Sequence, residues 1–194
     1  MLFVADAGRG KTQLVTDINQ HYFGGKGNWL QGRKDTKVRD LFVREHVDTS
    51  TGVYDSKDAI QLDDKKIKAL LNVIDEINRS PGPVQSDFID CGEGKFRHNG
   101  ERISLGRDDY CLLLATANMN KAGDNGFVGT FEMDRALLSR THFTFDLDHP
   151  DFKPTVADKI ELRKRQTDPR LKTAPPRDIS DKILEAYQMI KHKA

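Results

Sequence analysis

The sequence predicts an α/β fold built on a mostly parallel β-sheet. Three observations carry this reading. A short apolar run, Leu2 to Val4, ends at a glycine-rich turn and is followed by residues with helical spacing. Two further apolar runs, LLNVI at 70–74 and YCLLLA at 110–115, lack the alternation of a half-exposed strand and read as strands buried on both faces. Strand-like and helix-like segments alternate through the first 148 residues, the pattern of a layered α/β core.

Each element has its own justification. Residues 12–20 place Leu14, Val15 and Ile18 at helical spacing, and Gly24, Gly25 and Gly27 then mark a loop. Residues 37–47 fit helix or strand equally well, while 58–66 read as helix. The run at 70–74 is a buried strand, interrupted only by Asn72. Pro81 and Pro83 break whatever follows Arg79. FRHNGERISL at 96–105 sets Asn99-Gly100 between alternating residues, a strong short-range hairpin signal. Phe143, Phe145 and Leu147 alternate with Thr144 and Asp146, giving another strand. From Asp151 onward the chain turns charged and helical, with a break at Pro175-Pro176. Residues 179–193 form an amphipathic helix with Ile183, Leu184, Tyr187 and Ile190 on one side. No successor in the sequence covers that side, so the helix is expected to order poorly or to self-associate.

Composition narrows the function classes. The 194 residues suit one ordinary domain with a small appendage. Lys plus Arg number 31 against 30 Asp plus Glu, with signs mixed along the chain, so no basic field suggests a nucleic-acid partner. No apolar run of ~18 residues supplies a membrane span, and the start MLFVADAG is not a signal peptide. Cys91 and Cys111 form no C-x-x-C, which leaves a reducing, cytoplasmic setting as the expectation.

Ala5 to Thr12, ADAGRGKT, fits the phosphate-loop pattern with Ala5 in place of its first glycine. Gly8 and Gly10 let the backbone curl so that successive N–H groups face phosphate oxygens. Lys11 brings a compact charge to the β and γ phosphates, and Thr12 offers a hydroxyl to Mg²⁺. The helix beginning near Lys11 adds the positive end of its dipole. Ala7, Gly8, Arg9, Gly10, Lys11, Thr12 and Gln13 are therefore the nucleotide-binding candidates.

Asp75 and Glu76 close the apolar strand at 70–74, and in a parallel sheet such strand ends line the ligand crevice. Asp75 is the second metal candidate beside Thr12, and Glu76 is the candidate that polarises the attacking water. A bare Asp-Glu pair is also what a solvated strand end looks like. Asn118, after the strand at 110–115, can orient a water without adding charge, or serve as a turn residue. Arg140 can stabilise charge on a γ-phosphate, or simply complement the end of a surface helix. Asn78 and Arg79 either support the site or cap the break before Pro81.

The longer stretches are more specific. DEINRSPGPVQ, 75–85, resembles the Walker B region of the MoxR-type ATPases, a branch of the AAA+ superfamily. LLLATANMN resembles their sensor 1 strand and puts the sensor at Asn118, with Asn120 the weaker candidate. GFVGTFEMDRALLSRTHFTFDLDHPD resembles their segment running into the arginine finger. It maps the finger to Arg140, with Arg135 as the alternative. The hairpin at 96–105 sits where this branch carries one before sensor 1. These motifs cover residues 3–150 in the family's order.

The resemblance implies a P-loop NTPase core of AAA+ type, three layers with a mostly parallel sheet, at 1–150. A linker and the start of a helical lid would occupy 151–194. It implies ATP and Mg²⁺ as cofactors and ATP hydrolysis in a homo-oligomeric ring, a hexamer. It also implies a protein client to be remodelled or activated, of the von Willebrand A-type domain class. Relatives carry a segment before the first strand and a complete lid with a second sensor arginine; against them this chain reads as truncated at both ends. Two alternatives stand beside this reading. One is a GTP-specific motor subunit of a DNA-restriction system. The other is a nucleotide-binding interaction module without turnover.

Overall fold

The computed structural model describes residues 1–45, 60–98, 100–118, 131–153, 155–167 and 177–191. In chain order its elements are β1 (Leu2–Ala5), α1 (Lys11–Phe23), β2 (Asn28–Gln31), β3 (Val43–Glu45), β4 (Ile60–Leu62), α2 (Asp64–Ile67) and β5 (Leu71–Asp75). There follow α3 (Gly82–Gly92), β6 (Lys95–His98), β7 (Glu101–Ser104), β8 (Leu112–Asn118), α4 (Arg135–Arg140), β9 (Thr144–Asp146), α5 (Val156–Thr167) and α6 (Ser180–Lys191).

Five strands make one sheet in the order β2-β5-β8-β1-β9, and all four pairings are parallel. The pairs β3–β4 and β6–β7 are separate antiparallel ribbons, so the sheet content is mostly parallel as expected. Side-chain alternation assigns the two faces of the sheet. Leu2, Val4, Ile74, Ala115 and Ala117 share one buried cluster with Phe88 and Ile89 of α3, Leu137 of α4, and Phe96 of the hairpin. Phe3, Val73, Leu71 and Leu114 share the other with Val15 and Phe23 of α1, and Ile183 and Leu184 of α6 pack against it. Helical layers on both faces leave the central strands almost dry, which is why β5 and β8 read as continuous apolar runs.

Several expectations are corrected. Residues 58–66 were expected as helix, but 60–62 are the strand β4 and only α2 is helical. The undecided stretch at 37–47 is both: a 3-10 turn at Val38–Leu41, then β3. β2 was not foreseen; it is four residues long and partly exposed at the sheet edge. The expected break is present, since a 3-10 turn at Ile77–Arg79 ends before Pro81, but the same prolines also start a helix that was not foreseen. Pro81 caps α3, and Pro83 lies in its first turn, where a missing N–H costs nothing. Asn72, the flaw in the apolar run, is fully buried and accepts from Asn28 Nδ2 at 2.7 Å. The hairpin forms as expected with Gly100 at φ 85°, while Asn99 lies outside the described residues.

The last helix does not stand uncovered. Ile183 and Leu184 reach the second core cluster, and Tyr187 stacks on Tyr110 with ring centroids 4.4 Å apart. Asp178 pairs with Lys26 Nζ at 3.1 Å, and the Ile179 N–H donates to Tyr22 O at 2.9 Å. The far side of the helix stays open, with Met189 and Ile190 exposed. Among the described residues no helix is long and apolar enough to cross a membrane. Cys91 and Cys111 are free and buried, and burial raises both thiols, Cys111 to about 11.

Candidate functional site

The site gathers where three parallel strands end. β1 delivers the loop at 6–10, β5 delivers Asp75 and Glu76, and β8 delivers Thr116 and Asn118. Ala5 stands opposite Asn118 in register, so the loop and the asparagine come to the same level of the sheet. The loop turns through Gly8 at φ 74° and Gly10 at φ 78°. A Cβ on either glycine would meet nothing within 4 Å, so the left-handed backbone, not crowding, is what calls for glycine here. Gly10 caps α1 without any side-chain cap, so the first helical turn presents its N–H groups to the loop's concavity.

Lys11 is buried, and its Nζ donates to Ala5 O at 3.0 Å and to Asp6 O at 2.8 Å. Burial lowers its pKa, while Asp148, Glu76, Asp75 and Asp6 act in the opposite sense. Ala7, Gly8, Arg9, Gly10, Thr12 and Gln13 are exposed around it. Gln13 is turned along the helix, donating to Asp17 Oδ1 at 2.7 Å.

The Thr12 hydroxyl lies 3.0 Å from both carboxylate oxygens of Asp75. Asp75 is nearly buried and also accepts from Thr116 Oγ1 at 2.6 Å. Glu76 takes a left-handed backbone, φ 55° and ψ 48°, uncommon for a residue with a Cβ. Its N–H donates to Thr116 Oγ1 at 2.8 Å. Its side chain meets Arg79 Nε at 3.1 Å, Gln31 Nε2 at 3.3 Å and Asn118 Nδ2 at 3.4 Å. Asn78, buried, donates to Asn118 O at 2.9 Å and accepts from the Asn118 N–H at 3.3 Å.

Lys11, Thr12, Asp75, Glu76 and Asn118 are thus brought together, and Asn78 and Arg79 sit against them. Arg140 is not among them. It is half-exposed at the end of α4 and faces Glu93 Oε1 at 3.4 Å. Asn120 lies outside the described residues. Four contributors escaped the sequence reading. Thr116 is two residues before Asn118 on one strand, so period-2 alternation could have flagged it. Gln31 and Gly32 come from the unforeseen β2 and its end; the Gly32 N–H donates to Asp75 O at 2.7 Å. Asp148 follows β9; its Oδ2 accepts from the Asp6 N–H at 2.7 Å and its Oδ1 pairs with Arg9 Nε at 2.9 Å.

One hydroxyl and one carboxylate at this spacing fit Mg²⁺, a hard cation that takes one or two protein oxygens and keeps water and phosphate oxygens for the rest. Among the described residues no group of three or more His, Cys, Asp or Glu could hold a metal by itself, so phosphate oxygens would complete such a site.

No family model matches the chain, and no curated protein matches it in sequence. Solved structures do match. A protein from Cytophaga hutchinsonii, provisionally assigned as an ATPase, superposes with a TM-score of 0.59 at 20% identity, over 86% of this chain and 46% of its own. A full-length MCM homologue from Methanopyrus kandleri superposes with a TM-score of 0.51 at 14% identity, over 77% of this chain and 30% of its own. The chain therefore spans less than half the length of either. The strand order, the loop between β1 and α1, and these superpositions together show that the chain shares the α/β fold of these two proteins, with its mostly parallel five-stranded sheet.

Proposed function

We propose that the chain binds and hydrolyses ATP as an AAA+ ATPase of MoxR type, working in a ring, a hexamer, to remodel or activate a protein client in the cytoplasm. The observation that carries the reading is the convergence of Thr12, Asp75, Glu76 and Asn118 beside a glycine loop and a buried lysine. The MoxR-like motifs across residues 3–150 favour that branch and a client of the von Willebrand A-type domain class.

The loop amides and Lys11 would hold the phosphates, with Lys11 exchanging its carbonyl partners for phosphate oxygens. Thr12 and Asp75 would hold Mg²⁺, which when bound neutralises charge on the β and γ phosphates. Glu76 has one oxygen tied by Arg79 and Gln31, which leaves the other toward Asn118. A water accepting from Asn118 Nδ2 and donating to Glu76 Oε1 is oriented and deprotonated there. Arg140, outside its own site, would serve the site of a neighbouring subunit.

The test is nucleotide binding and phosphate release measured on the full chain, with ATP and GTP side by side. Glu76→Gln is expected to keep affinity and lose turnover, and Lys11→Ala to lose affinity about 10–100-fold, the worth of a charged hydrogen bond. Normal hydrolysis by Glu76→Gln removes the assignment. GTP turnover without ATP turnover transfers the reading to a GTP-dependent motor.

A further inference from the structure

We infer that Thr116 is a positioning residue that sets both carboxylates of the proposed ATPase site. The inference rests on that functional reading. Thr116 is fully buried in a strand whose neighbours, Ala115 and Ala117, are apolar. A hydroxyl buried there is costly unless its hydrogen-bonding capacity is used. It is used twice, on the last residue of the neighbouring strand and on the residue that follows it. The proton goes to Asp75 Oδ1 at 2.6 Å, and the oxygen receives the Glu76 N–H at 2.8 Å.

Register explains how one side chain reaches both. Ile74 stands opposite Ala115, so Thr116 lies beside the last residue of β5. The Glu76 N–H bonds to this side chain as the backbone leaves the strand for the left-handed conformation. A hydroxyl on β8 thus replaces a ladder bond and lets the chain turn where Glu76 must point away from the sheet. On the other side, Thr12 donates to the same Asp75 carboxylate. Asp75 is gripped between two hydroxyls, and losing the Thr116 grip frees it to rotate away from Thr12.

A merely space-filling threonine would affect stability alone. The discriminating readout is the gain in ATP affinity on adding Mg²⁺, measured by calorimetry on the full chain of wild type, Thr116→Val and Thr116→Ser. Partners that orient a metal ligand are worth about 10–100-fold in metal affinity or activity. Thr116→Val, equal in shape but without the hydroxyl, is expected to bind metal-free ATP as wild type does and to lose at least about tenfold of the Mg²⁺ gain. Thr116→Ser is expected to restore it. If Thr116→Val does not fold, Thr116→Ala, which relieves rather than fills the space, carries the same comparison. A wild-type Mg²⁺ gain in the variant lacking the hydroxyl overturns the inference, as does a serine variant that behaves like valine. A wild type that binds no nucleotide overturns the functional reading itself, and the inference with it.

Discussion

Replacing Gly32 by alanine puts a methyl group into backbone. A Cβ built on Gly32 lies 2.3 Å from the Glu76 carbonyl oxygen, 3.0 Å from the Glu76 carbonyl carbon and 3.1 Å from Ser80 Oγ. A carbon–oxygen contact needs about 3.3 Å, so the Glu76 peptide and Gly32 must part by about 1 Å. Rotating a side chain cannot supply this, because the nearest obstacle is main chain. The Gly32 N–H is meanwhile bonded to Asp75 O at 2.7 Å, so the strain is delivered to the two acidic residues. Overpacking of this kind costs about 1–3 kcal/mol, which for a chain of this size lowers the melting temperature by about 2–12 °C. A displacement of about 1 Å at a reacting group costs about 100-fold in rate. The loop that would hold the phosphates is untouched. Gly32→Ala is therefore expected to bind ATP nearly as tightly as wild type and to hydrolyse it about 100-fold more slowly. Calorimetry, thermal melting and phosphate release on the same preparation check this. Wild-type melting together with wild-type turnover would refute the coupling between Gly32 and the Glu76 peptide.

Two further outcomes are expected. Arg140→Ala and Glu76→Gln should each be nearly inactive while binding ATP, and mixed rings of the two should recover activity. An arginine finger is worth roughly 10³–10⁵ in turnover, so a minority of repaired interfaces suffices, and mixed rings without rescue would end the role in trans. The second outcome concerns acid. Ser180, through its hydroxyl and its N–H, and then Lys26 hold Asp178 down to about 2 from the usual carboxylate value of 3.8. Its folded pKa lies below its unfolded one, so its contribution is present above about pH 4 and is lost as pH falls toward 2. The protection of α6 amides, measured against the intrinsic exchange rate at each pH, should therefore fall across that window in wild type. In Asp178→Asn that protection should already be lower at neutral pH and flat through the window; equal protection profiles would remove Asp178 as the anchor.

What the sequence disclosed and what it hid follow from how each element is specified. β1, the loop, α1, β5 and β8 were legible because continuous apolar runs and glycines carry their own signal. The hairpin was legible because Asn99-Gly100 is local turn chemistry. β2 was not, since four residues with polar Asn28 and Gln31 at their ends carry no period. α3 was hidden by prolines read as breakers, though a proline in the first helical turn is a start signal. At the site, Asp75, Glu76 and Asn118 declared themselves as strand-end polar residues. Thr116 was overlooked although its period-2 spacing from Asn118 was readable; Gln31, Gly32 and Asp148 were not readable, because register and strand order bring them in, and neither is written in local spacing.

The position of β1 inside the sheet has a consequence in time. Its partners are β8 and β9, and Ala5 waits for Asn118, 113 residues later. A ribosome adding roughly 5–20 residues per second needs on the order of 6–23 s to cover that distance. Until then LFVA is an apolar strand with two unpaired edges, and the glycine loop after it has nothing to hold its shape. Pairings this distant are also slow to form once the chain is complete. A nascent chain halted before residue 112 therefore holds the loop's full sequence without its curl, and offers a sticky strand that chaperones would be drawn to.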